Sequence, residues 1–326
     1  MGSRPFSNAD PFLQIIVLFL IAFFCVGVFM LMGQGLLNAL WGVNLFENPS
    51  ALSDYENEHV VQMNRLLLFF QHLGLFVVPA LIFGRLSSTD WKKYLGFRFV
   101  MPRIAIASVL VMVAALPLIN VLAWLNEGLV LPEFLSGLEE AFAGMEETAQ
   151  KLTMAIAGTG SIVSLAINIV LVALLPALGE EMVFRGLLIP ILRKWTGNVH
   201  VAVWTSAFLF SAMHFQFYGF LPRFVLGALL GYLFVWSKSI WAPVLAHFVN
   251  NALALFLLFM IARGNISEEV DSFDPELSDW LLVVASAIAV SGLIFYIMKY
   301  AKGWKDNRQA QLLQQGIEEN PLEESE

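Results

Sequence analysis

Residues 171–190 read LVALLPALGEEMVFRGLLIP. The run is apolar enough for a bilayer, yet it carries Glu180, Glu181 and Arg185. A charge at the bilayer centre costs roughly 2.5–3.5 kcal/mol on insertion scales. Two carboxylates and a guanidinium persist there only if they pair, line a protein-walled cavity and serve a function. Glu181 and Arg185 stand at i, i+4 with the acid first, the favourable order for a helical ion pair. Glu180 is turned about 100° round the helix from Glu181, which leaves it free to exchange protons.

The rest of the chain supports a membrane reading. Its 326 residues are 58% apolar and only 13% charged, with mean hydropathy +0.73. A soluble domain is about half apolar and about a quarter charged. The fold class is therefore all-α and polytopic. Eight apolar segments lie near 12–36, 64–84, 104–125, 161–192, 198–216, 222–237, 240–262 and 279–300. They approach the length of roughly 20 residues that crosses a hydrocarbon core. The sixth is the shortest. Lys and Arg crowd one set of loops (Arg85, Lys92, Lys93, Arg98, Arg103, then Arg193, Lys194, then Lys238). That asymmetry predicts eight spans with both termini cytoplasmic. The acids behind the net charge of −8 fall mostly in the opposite loops and the tail.

Residues 1–302 read as a single membrane domain with a catalytic core near 161–262, followed by a polar cytoplasmic tail at 303–326. The acidic, amphipathic segment 133–156 is expected to form an interfacial or luminal-side helix, although basic residues are the usual membrane-surface signature. A single cysteine, Cys25, precludes an intrachain disulfide. No basic arm or zinc ribbon points to nucleic acid as a partner.

Further polar residues interrupt the later apolar segments. His214 closes the run Phe210-Ser-Ala-Met-His in the fifth, and His247 and Asn251 share a helical face in the seventh. Asn250 points elsewhere, as an interhelical hydrogen bonder. Gln71 and His72 in the second segment lack such a polar partner and read as structural. Depth is a difficulty: Glu180 and His214 lie about 20–24 Å from one end of their segments, but His247 only about 10 Å. Convergence requires tilt, a break at Pro243 or a different boundary.

The ordered set Glu180, Glu181, Arg185 (EExxxR), Phe210, His214 (FxxxH) and His247, Asn251 (HxxxN) resembles the CPBP family of intramembrane proteases, which includes CAAX prenyl endopeptidases and bacterial Abi-type relatives. The resemblance covers about 179–251. It implies an eight-helix fold with a catalytic cavity inside the membrane, open to the cytosol. It also implies that Glu180 and His214 activate water and that His247 and Asn251 donate hydrogen bonds to the oxyanion. Arg185 would hold Glu181 in register. The substrate would be a peptide or protein, lipidated in the family's best-known reaction, met among membrane lipid. No cofactor is required on this reading. Zinc held by Glu180, His214 and His247 is the alternative, although no His-Glu-x-x-His helix is present. A bacterial inner membrane is the expected location. Two other classes remain, a non-catalytic binding or immunity protein and an ion- or proton-coupled transporter. No aspartyl pair and no Gly-x-Ser-Gly lies in the apolar segments, so other intramembrane protease chemistries lack support.

Overall fold

A computed structural model describes residue 6 and residues 9–129, 131–158, 161–266 and 277–314. Among these the chain is helical and contains no β-strand. The major helices are α1 Pro11–Trp41, α2 Glu58–Ser87, α3 Pro102–Ala114, α4 Leu116–Glu127, α5 Ser136–Gly158, α6 Ile162–Thr196, α7 Val199–Ala212, α8 Phe220–Ser237, α9 Trp241–Ala262 and α10 Leu277–Gln314. Their ends follow local chemistry. Asp10, Asn57, Ser161 and Asn198 accept hydrogen bonds from backbone N–H groups of the first turns, as N-capping side chains do. Gly42 and Gly197 end α1 and α6 in the left-handed conformation, which glycine adopts without a Cβ penalty.

Six of these helices are long and apolar enough to cross a membrane. Phe19, Phe23 and Phe24 of α1 are more than two-thirds exposed, and only lipid can cover so contiguous an apolar face without cost. The chain is an integral, multi-pass membrane protein. Each of the eight expected segments is helical, with two qualifications. The third is a bent pair, α3 and α4, broken by 42°. The bend lies next to Pro117, whose ring cannot continue the helical ladder. The fifth, α7, has only 14 residues, whereas the short sixth is a complete helix of 18 residues. Helix α10 runs on through Gln314, into the polar tail. Residues 315–326 and the acidic Glu268, Glu269 and Asp271 lie outside the described residues.

Helix α6 lies at the junction of two cores. Phe184, Leu188 and Leu192 pack with Phe76 of α2, Val203 and Phe210 of α7 and Ala228 of α8. Met182, Leu187 and Ile191 pack with Leu18 of α1, Phe83 of α2 and Val244 of α9. A third core joins α3, α8, α9 and α10 through Val111, Met112, Leu233, Ala246 and Ile297. Small residues let α7 and α8 approach closely. A Cβ on Gly231 would lie 2.9 Å from Val203 and one on Gly227 3.3 Å from the Ala207 backbone. This is the small-xxx-small packing that membrane helices use.

The depth difficulty with His247 is resolved at the start of α9. Ser239 and Ile240 are fully buried. The Ile240 N–H donates to the Gly96 carbonyl at 2.8 Å, and the Ser239 hydroxyl to the Arg98 carbonyl at 2.6 Å. The turn before α9 is tucked beneath the 91–98 connection, so α9 starts well inside the molecule. Pro243 causes no break. It occupies the first turn, where the missing N–H has no helical partner to lose.

Candidate active site

Residues Leu175–Glu181 of α6 form an ordinary α-helical stretch between two wider π-helical turns, Ile169–Leu174 and Met182–Leu188. Such turns recur at functional sites, where they re-aim side chains without ending the helix. Here the stretch carries Glu180 and Glu181 into the protein. Arg185 donates from Nη1 to Glu181 Oε1 and from Nη2 to the Gly227 carbonyl, both at 2.8 Å. The expected ion pair is therefore also a tie between α6 and α8. Arg185 is 1% exposed and Glu181 0%, and burial of such charges is tolerated only because they are paired and hydrogen-bonded. Phe210 lies beneath the guanidinium, its ring centre 4.8 Å from Arg185 Cζ, within range of a cation–π attraction.

His247 meets the same carboxylate, with Nδ1 2.8 Å from Glu181 Oε1. A carboxylate held by Arg185 can only accept, so Nδ1 carries the proton and Nε2 bears the lone pair of the neutral ring. That Nε2 lies 3.8 Å from Glu180 Oε2. The other carboxylate oxygen, Oε1, lies 3.9 Å from Nε2 of His72. Both separations exceed a direct hydrogen bond and suit groups bridged by one water or one reacting atom.

His214 follows α7 in a turn where Phe215 takes the left-handed conformation at φ 53°. Its Nδ1 faces the Phe210 carbonyl at 2.8 Å. A carbonyl can only accept, which fixes the proton on Nδ1 and leaves Nε2 as an acceptor. Its ring packs edge-on against Phe210, and the His247 ring meets the same phenyl. FxxxH thus places one aromatic between two imidazoles and one guanidinium. No direct hydrogen bond or ion pair joins His214 to Glu180 among the described residues. Asn251 stands one turn beyond His247 on α9, and its Oδ1 accepts from Asn250 at 3.3 Å.

Two further polar residues near the site were not among the expected site residues: His72, read as structural, and Arg223. His72 has no polar side-chain partner at helical spacing, because its partner is the Leu68 carbonyl at 2.9 Å. Arg223 was legible as the lone charge of the sixth apolar segment. It donates to the Gln216 carbonyl at 3.4 Å and to the Gln216 side chain.

His214 and Gln216 line a cavity of about 520 Å³ whose facing wall is α5, through Gly144, Met145, Thr148 and Leu152 among others. The acidic amphipathic segment is thereby a wall beside the candidate site. Glu146 of α5 accepts from the Tyr218 N–H at 3.0 Å. Asn126 of α4, 1% exposed, clasps the same connection by donating to the Phe217 carbonyl at 2.8 Å and accepting from the Leu221 N–H at 2.7 Å. The alternative zinc set of Glu180, His214 and His247 is not gathered. Among the described residues no three His, Cys, Asp or Glu side chains are grouped to hold a metal ion.

Residues 162–253 match the family described as Type II CAAX prenyl endopeptidase Rce1-like. This segment is similar to the Rce1-like domain. It contains every residue of the three motifs. Among curated proteins the chain is 32% identical over 89 residues to the uncharacterised protein YpbD of Bacillus subtilis (strain 168), covering 26% of this chain and 42% of that protein. It is 37% identical over 82 residues to the sporulation-killing factor biosynthesis protein SkfC of the same organism, covering 23% of this chain and 16% of that one. The chain thus spans less than half the length of either relative. No solved structure matches it.

Proposed function

We propose that the protein is an intramembrane endopeptidase in which Glu180 activates water for attack on a peptide bond. The observation that carries this reading is the setting of Glu180. It is buried in a membrane span with each carboxylate oxygen facing an imidazole nitrogen, at 3.9 Å and 3.8 Å. Its neighbour Glu181 is committed to Arg185 and His247. One carboxylate is structural; the other is available.

The chemistry follows from the proton positions. Glu180 takes a proton from water as the oxygen attacks the scissile carbonyl, and later returns it to the leaving amine. His214, with its Nε2 lone pair, accepts a hydrogen bond from the second O–H of that water and fixes its direction. Charge then develops on the carbonyl oxygen. His247, when protonated, turns Nε2–H toward that oxygen while Glu181 stabilises the imidazolium through Nδ1, as a buried carboxylate does for histidine in a catalytic triad. The Asn251 amide supplies a second donor. No step requires a metal.

The cavity between His214 and α5 supplies the approach for a peptide. The family's prenyl endopeptidases suggest a lipidated substrate, and the likeness to a killing-factor biosynthesis protein suggests a peptide undergoing maturation. Basic loops facing the cytosol of a bacterial inner membrane complete the proposal. Its test is cleavage of membrane-peptide libraries, including farnesylated C-terminal peptides, by the purified protein in nanodiscs. Glu180→Ala is expected to lower cleavage about 10²–10⁴-fold. Cleavage unchanged in Glu180→Ala rejects the assigned base, and no cleavage by the wild type favours a non-catalytic binding protein.

A further inference from the structure

His72 is a half-buried imidazole that no part of the mechanism above uses. It lies in α2, outside the matched segment 162–253. Three observations aim it at Glu180. Its Nδ1–H is fixed on the Leu68 carbonyl at 2.9 Å, so the ring cannot turn without losing that bond and Nε2 is the free face. That Nε2 lies 3.9 Å from Glu180 Oε1, on the opposite carboxylate oxygen from the one facing His247. The helix also widens directly after it into the π-helical turn Leu73–Val77, a feature that clusters at functional sites.

The approach of the two helices is specific to this point. A Cβ on Gly179, the residue before Glu180, would lie 2.9 Å from Phe76 Cβ and 3.0 Å from Val77 Cγ2. Only glycine lets α6 meet the π-helical turn of α2 this closely. The phenyl of Phe76 packs 5.8 Å from the His72 ring and 6.5 Å from Phe184 of α6, which holds the imidazole beside the carboxylate.

We propose that His72 is a positioning residue for the Glu180 carboxyl. It holds Oε1 through one bridging water that donates to both groups, so that Oε2 is the oxygen presented to the reacting water. The proposal rests on the assignment of Glu180 as the base, and its role differs from that of His247, which is tied to Glu181. It predicts an effect on turnover with little effect on binding, because His72 does not line the cavity beside α5.

The test uses full-length protein in nanodiscs with a quenched fluorescent peptide ending in a farnesylated cysteine and three further residues. For His72→Phe, kcat is expected to fall roughly 10- to 100-fold with KM within about twofold, the size expected when a reacting group is misplaced. His72→Gln, whose amide keeps a polar atom near the Nε2 position, is expected to recover part of that loss. A second readout needs no substrate: the infrared band of the Glu180 carboxyl, isolated as wild type minus Glu180→Gln, should shift in His72→Phe. Unchanged kcat together with an unshifted band overturns the proposal. If the wild type cleaves nothing, the functional reading fails, and the band alone decides whether His72 holds Glu180. A fall in thermal stability with kcat, KM and band unaltered assigns His72 to packing and likewise overturns it.

Discussion

Within α6, Glu181 and Arg185 are adjacent in purpose to Glu180 but opposite in character. Arg185 bonds both Glu181 and the Gly227 carbonyl, so removing it takes away the charge partner of a buried carboxylate and the tie between α6 and α8. Arg185→Leu is expected to destabilise the fold by about 3–5 kcal/mol, the usual consequence of breaking a buried ion pair by one partner. The measurement is thermal unfolding of the purified protein in detergent, where a melting temperature equal to wild type would show that the pair contributes nothing. The i, i+4 spacing made this pair legible in sequence, because both partners lie on one helix. The bond from His247 to Glu181 was not legible, since 66 residues separate the two and only packing of α6 against α9 brings them together. His72 was hidden for a related reason: its hydrogen bond goes to backbone, which leaves no side-chain pattern to read. Glu180, His214 and His247 are not gathered as metal ligands, so cleavage is expected to persist after treatment with a strong chelator, and loss restored by added zinc would contradict that reading.

Among the helices, length and composition predicted most elements, while local geometry governed the exceptions. Pro117 bends the third apolar segment as proline sterics require, but Pro243 does nothing comparable because it sits in a first turn. The π-helical turns of α2 and α6 carry no sequence signature, yet they adjoin or contain His72, Glu180 and Arg185. The function of α5 also emerged only from tertiary structure, as its acidic amphipathicity suggested a surface helix and not a wall beside His214. That wall is open to a direct test. A Cβ at Gly144 would have nothing within 4 Å, so Gly144→Trp is expected to fill the cavity without strain. Cleavage should fall at least tenfold, while stability stays within about 0.5 kcal/mol of wild type, the range of benign surface changes. Unimpaired cleavage would show that substrate takes another route. Gly231→Leu is expected to do the reverse, because its side chain would meet Val203. Overpacking α7 against α8 should lower stability by about 1–3 kcal/mol.

For the molecule as a whole, membrane residence follows from apolar helices whose outward faces cannot be covered by protein, as in α1 and α10. The proposed orientation, with both termini cytoplasmic, rests on the Lys and Arg asymmetry alone, and it is testable because Cys25 is the single cysteine. In a Cys25→Ala background, Glu56→Cys is expected to react with a membrane-impermeant maleimide in intact cells. Lys194→Cys should react only after lysis, and the opposite pattern would invert the topology. The central claim concerns neither topology nor any one helix: side chains from α6 and α9 act together on one water within the membrane. Residues acting as a unit are non-additive when removed. The decisive measurement is therefore cleavage of one farnesylated peptide by wild type, Glu180→Gln, His247→Phe and the double variant in nanodiscs. Each single variant should lose roughly 10²-fold or more, and the double should lose no more than the worse single. Cleavage by Glu180→Gln at the wild-type rate, or losses that simply multiply, would contradict a shared site.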